Sequence, residues 1–111
     1  MEIDPHEAIN FIARTAPKYA EAKGQMYYLE NFLKTVKAQE MNRSDSSSLG
    51  QREADAYESQ AYRDANTAYK AAVEEEAHLK WLMTAAQARV EVWKTQQYNL
   101  RQELKNIDMQ S

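Results

Sequence analysis

Leu79-Lys80-Trp81-Leu82-Met83-Thr84-Ala85-Ala86-Gln87-Ala88-Arg89-Val90-Glu91-Val92-Trp93 is the stretch whose reading decides the fold. It contains neither Gly nor Pro. Its apolar residues Leu79, Met83, Ala86, Val90 and Trp93 recur at alternating steps of four and three, the repeat of a helix packed lengthwise on another helix. Trp81, Leu82, Ala85 and Val92 widen that stripe to roughly 200° of the circumference at 100° per residue. An apolar arc of that width exceeds what one neighbouring helix covers, so the stretch is expected to lie at the centre of a helical assembly.

The same repeat extends in both directions. Ala65, Ala72, Leu79, Ala86, Trp93, Leu100 and Ile107 follow one another by sevens, with Tyr62, Tyr69, Met83, Val90 and Leu104 forming a second row. No Gly or Pro interrupts residues 60–107, so a single helix of roughly 70 Å is expected there. Ala and Tyr line its early part, Leu and Trp its late part. Upstream, Asp4 followed by Pro5 and Glu7 reads as a helix start, with Asp4 as N-cap and Pro5 at the first helical position. Pro17 disfavours helical geometry at Ala16, which predicts a short first helix over 5–14 and a second over 17–41. Tyr19, Ala22, Met26, Leu29, Leu33 and Val36 give that second helix its apolar stripe. Gly24 lies inside it, where close approach of another helix would account for it. The Ser-rich run ending at Gly50 predicts a flexible loop over 42–50, followed by helix over 51–58 and a fresh start capped by Ser59.

The fold class expected is therefore all-α: a helical hairpin or bundle with a short N-terminal helix, a second helix and one long C-terminal helix, completed by dimerisation. With 111 residues the chain makes one domain at most. A monomer of this size has a modest core. There is no Cys, hence no disulfide, thiolate nucleophile or zinc knuckle. No apolar run approaches the ~20 residues of a membrane span, and the N-terminal residues form no signal-peptide core. A cytoplasmic protein without membrane contact is expected.

Charge is distributed unevenly. Residues 44–78 hold Asp45, Glu53, Asp55, Glu58, Asp64, Glu74, Glu75 and Glu76 against Arg52, Arg63 and Lys70. Residues 79–107 hold Lys80, Arg89, Lys94, Arg101 and Lys105 against Glu91 and Glu103. Acids early and bases late suit the helix macrodipole, and also suit antiparallel self-pairing. Lys80, Gln87, Lys94 and Arg101 share one face with Tyr98 and Lys105 beside it, a face for protein contact or for a nucleic-acid backbone. The acidic pI of about 5.4 weighs against strong non-specific DNA binding. Arg89 has no acid three or four residues away, so in an interhelical core with Leu79, Trp81, Leu82, Val90 and Trp93 it needs a carboxylate from another helix, with Glu30 and Glu74–Glu76 as candidates.

No constellation for chemistry stands out. The serines cluster away from either His, there is no Gly-rich phosphate loop, and no pair of carboxylates is singled out. Glu75-Glu76-Ala77-His78 has the Glu-x-x-His spacing of di-iron bundles, and Glu30 is the further ligand such a site would need. A solvated acidic patch accounts for it more simply. No catalytic residue, cofactor or metal ligand is assigned, and the chain is expected not to be an enzyme.

Asp4-Pro5-His6-Glu7-Ala8, Tyr28-Leu29-Glu30, Leu79-Lys80-Trp81-Leu82 and Ala85-Ala86-Gln87-Ala88-Arg89-Val90-Glu91-Val92-Trp93-Lys94 resemble small all-helical proteins of unassigned activity encoded by tailed bacteriophages and prophages. The resemblance covers most of the chain, with the Ala-Gln-Ala-Arg-Val-Glu-Val-Trp run its most specific part. Lys94 replaces an Arg of that pattern and Thr95 a Ser. The resemblance implies a bacterial host cell as setting. From the helical assembly and the lack of chemistry, a non-enzymatic accessory role through a phage or host protein partner is expected, in phage DNA recombination or replication or against a host defence. The resemblance also implies that Trp81, Gln87, Arg89, Glu91 and Trp93 act as one unit.

Overall fold

The computed structural model describes residues 2–110, with side chains described through residue 109. The described residues are helical apart from the first few and two short breaks. The elements are α1 (Pro5–Arg43), α2 (Leu49–Glu58) and α3 (Gln60–Gln110). The all-α class and the long C-terminal helix follow the sequence reading.

The start of α1 is the one expected. The Asp4 carboxylate accepts from the backbone N–H of His6 at 2.9 Å and of Glu7 at 3.3 Å, which satisfies two donors that the first helical turn leaves free. The expected break at Thr15–Ala16 is absent: helices anticipated over 5–14 and 17–41 are one continuous α1 with Pro17 in its interior. The reason is the side on which Pro17 falls. Ala13, Ala16 and Pro17 are exposed, while Thr15 is buried and Ile12 half-buried. Pro17 removes the N–H that would bond the Ala13 carbonyl, but Ala13 and Pro17 are on the exposed side, where a carbonyl left without that bond is open to solvent. Burial of the opposite face carries the helix through.

Gly24 also departs from expectation. A Cβ placed on it would meet nothing within 4 Å, so no helix approaches it within this chain. Its backbone φ is negative, as in any helix. Gly24→Ala is accordingly expected to raise stability by about 0.5–1 kcal/mol, through the entropy of the unfolded chain and helix propensity. Urea denaturation followed by circular dichroism measures it; a loss of stability would show that Gly24 is packed in an assembly.

The irregular segment between α1 and α2 is shorter than anticipated, residues 44–48, and side chains organise it. Ser44 Oγ donates to Asp55 at 2.6 Å and accepts from the Ser46 N–H. Ser48 is the N-cap of α2, accepting from the Gln51 N–H. Arg52 Nε donates to the Ser46 carbonyl at 2.6 Å. The serines thus serve as local turn and cap residues. Ser59 makes the second break, with extended φ −65° and ψ 147°. Its hydroxyl donates back to the Ala56 carbonyl at 2.7 Å and accepts from the Tyr62 N–H at 3.2 Å, closing α2 and opening α3 with one side chain.

The chain forms two compact units, Met1–Lys18 with Leu79–Ser111, and Tyr19–His78. In the second, Val36, Ala56, Ala65 and Ala72 are buried, and Ala65 and Ala72 are two of the residues spaced by sevens. Ala8, Thr15 and Ala86 are buried in the first. The core is therefore built largely of small residues, which lets helices pack closely and leaves larger side chains on the rims.

Candidate interaction surface

In the unit formed by Met1–Lys18 and Leu79–Ser111, the start of α1 runs antiparallel to α3. Ile3 and Asp4 lie beside Trp93 and Gln97, and Phe11 and Arg14 lie near Leu82 and Ala85. The sequence seam is the face that α1 covers: Ala86 is buried, and Leu79, Met83, Val90 and Trp93 are half-buried. Past Gln97 the seam continues without a cover. Leu100, Leu104 and Ile107 are 48%, 54% and 62% exposed.

Trp81 and Leu82, expected in an interhelical core, are not covered within one chain. Trp81 is 66% exposed, Val92 47% and Leu82 40%, and Ala85 and Ala88 between them are exposed as well. α1 covers the seam side of α3 and leaves this side open, which is the geometric consequence of an apolar arc too wide for one neighbour. Arg89 is not covered within one chain either. It is exposed, with no carboxylate at ion-pair distance among the described residues. It stands at the edge of the seam, where α1 and α3 diverge around an open hollow of about 450 Å³. Ile3, Ala8, Phe11, Leu82, Ala85 and Ala86 form its apolar lining; Glu2, Asp4, Glu7, Arg14 and Arg89 supply its charges. The guanidinium there is solvated, which removes the need for a buried partner.

The other face stands as the spacing arranged it. Lys80, Gln87, Lys94, Tyr98, Arg101 and Lys105 are all exposed. Lys94 Nζ lies 3.2 Å from Glu91, an exposed pair three residues apart that adds little stability.

The Tyr19–His78 unit holds two polar contacts that spacing alone does not reveal. Glu76 is only 8% exposed and accepts from the Tyr19 hydroxyl at 2.8 Å. That bond, with burial and the nearby carboxylate charge, raises the Tyr19 pKa. Glu75 and His78 are exposed, and no group of three His, Asp or Glu side chains converges as a metal site among the described residues. Glu76 is thus a hydrogen-bond acceptor that joins α1 to α3 within this unit. Lys37 Nζ stands 4.8 Å over the Tyr57 ring and 3.9 Å from Glu53, tying α2 to α1. Tyr57 in turn meets Tyr62 edge-on at 5.1 Å between ring centres.

Asp55 is the acceptor that fastens the loop. Hydrogen bonds from Ser44 and then from Gln51, at 2.8 Å, lower its pKa. A carboxylate whose pKa is lower folded than unfolded stabilises the fold above its unfolded value of about 4, and that stabilisation disappears as pH falls through the folded value. Thermal stability followed across the acid range is therefore expected to fall less steeply in Ser44→Ala than in the wild type. Parallel curves would show that the bond contributes nothing in solution.

No helix among the described residues is long and apolar enough to cross a membrane. No family model, curated protein or solved structure matches the chain.

Proposed function

We propose that this chain is a non-enzymatic accessory protein of a bacteriophage or prophage. It acts through protein–protein contact in the host cytoplasm, as a homodimer or higher oligomer, in phage DNA recombination or replication or against a host defence. The observation that carries the contact role is the apolar face of α3 left open by its own chain, with Trp81 66%, Val92 47% and Leu82 40% exposed. Contiguous apolar surface of this kind on a charged helix marks an interaction face. The phage setting rests on the resemblance of residues 4–8, 28–30 and 79–94.

The experiment is retention of partners from phage-infected bacteria on the immobilised chain, compared with Trp81→Ala/Val92→Ala. Retention of a phage or host protein by the wild type and its loss in the variant supports the reading; identical protein sets on both overturn it.

The alternative is a DNA-binding accessory factor, favoured by the exposure of Lys80, Lys94, Arg101 and Lys105 along one face with Tyr98. It requires a salt-dependent mobility shift of labelled DNA. The first reading predicts none even at low salt, since the net charge is −3 and Glu91 and Glu103 interrupt the basic residues.

A further inference from the structure

We infer that a second copy of this chain docks antiparallel along the Trp81–Val92 face of α3, about a twofold axis passing beside Ala86 and Gln87. This deepens the homodimer reading above and rests on it. Trp81, Ala85, Ala88 and Val92 are spaced by four, three and four, so they form one straight apolar stripe of the helix-pairing type. All four are exposed. The stripe lies roughly 150° around the helix from the seam that α1 covers, at 100° per residue.

The stripe is complementary to itself in one orientation. Run antiparallel, Trp81 faces the partner's Val92 and Ala85 faces the partner's Ala88, and the twofold repeats both layers. The bulky indole meets a smaller side chain at each end, and the alanines let the helices close together in the middle. Charge agrees. Lys80 and Glu91 lie on the same flank of the stripe, and the antiparallel register places Lys80 beside the partner's Glu91, twice in the dimer. A parallel pair would set Trp81 on the partner's Trp81 and put Lys80 and the partner's Glu91 on opposite sides of the contact. The rival face, the uncovered seam end at Leu100 and Leu104, is poorer in this respect. An antiparallel pair centred there sets Arg101 against the partner's Arg101 and Glu103 against the partner's Glu103, like charges beside the contact.

The register is read by a distance. The chain has no Cys, so Asn99→Cys carries a single nitroxide, on the same helix face as the stripe and away from its apolar residues. At 1.5 Å per residue the antiparallel register puts the two labels about 40 Å apart in the full-length dimer. A distance under about 25 Å, as a parallel pair gives, overturns the proposal. So does absence of any dipolar coupling at high protein concentration.

Ala88→Glu, at an exposed position that leaves folding intact, is expected to weaken dimerisation at least about 100-fold, by placing two carboxylates in the Ala–Ala layers. Gln87→Glu, off the stripe, is expected to leave it unchanged. A wild-type chain that dimerises equally well as Ala88→Glu but not as Leu104→Glu sinks this face and leaves the homodimer standing. A wild-type chain that stays monomeric sinks both.

Discussion

Ala56→Leu is expected to destabilise the fold by about 1–3 kcal/mol, the range for forcing extra methylenes into a filled site. Ala56 has no exposed surface at all, the only described residue with that value. Its carbonyl already accepts from both the N–H and the hydroxyl of Ser59, at 3.2 and 2.7 Å, so the backbone there is not free to retreat. α2 has ten residues, too few to hold helical form unaided. What fastens it is packing at Ala56, the Lys37–Tyr57 contact and the Ser44–Asp55 bond. A larger side chain pushes α2 off its neighbours and releases these together. Chemical denaturation should show a lower midpoint for Ala56→Leu and near-wild-type behaviour for Ala68→Leu, at an exposed site of α3. Equal midpoints for the two would mean that α2 is not packed as described.

Pro17→Ala is expected to act in the opposite direction and to stabilise by about 1–3 kcal/mol. The proline lies well inside α1, where it deletes one backbone bond and crowds the Ala13 carbonyl. Neither penalty is offset by packing of the ring, because Pro17 is exposed. Alanine restores the bond and the propensity on a face that touches nothing within the chain. The midpoint in urea should rise with an unchanged slope. A fall would show that the local geometry Pro17 imposes is needed for the packing of α1.

These two residues show what could be read from the chain and what could not. The seam was legible because it repeats: Ala65, Ala72 and Ala86, picked out by spacing in sevens, are buried. The Asp4 cap and the Ser59 break were legible because each is a local act of one side chain on its own turn. The helix runs through Pro17 because the burial of Thr15 and Ile12 across the helix outweighs the local preference at Ala16. The Tyr19–Glu76 and Ser44–Asp55 bonds join residues 57 and 11 positions apart, and no spacing rule foretells them. Glu76 in particular looked like one of a run of three acids; only the packing of α1 singles it out. The spacing shows that Arg89 lacks an acid on its own helix, but not how exposed it is within one chain. The hollow beside it, which keeps it in water, follows from where α1 and α3 part.

The candidate surface was legible in the same partial way. The width of the apolar arc pointed to Trp81, Leu82 and Val92, but which part of the arc α1 would cover depends on the helix pairing. The structure resolves the arc into a covered seam and an open stripe. That division gives the proposed dimer its register, and it places the basic residues Lys94, Arg101 and Lys105 outside the contact.

Sedimentation equilibrium of the 111-residue chain over a wide concentration range separates dimer from monomer. The mass is expected to climb to twice the 12.9 kDa of one chain and to return towards 12.9 kDa in Ala88→Glu at the same concentrations. A wild-type mass that stays at 12.9 kDa throughout would contradict the proposed dimer.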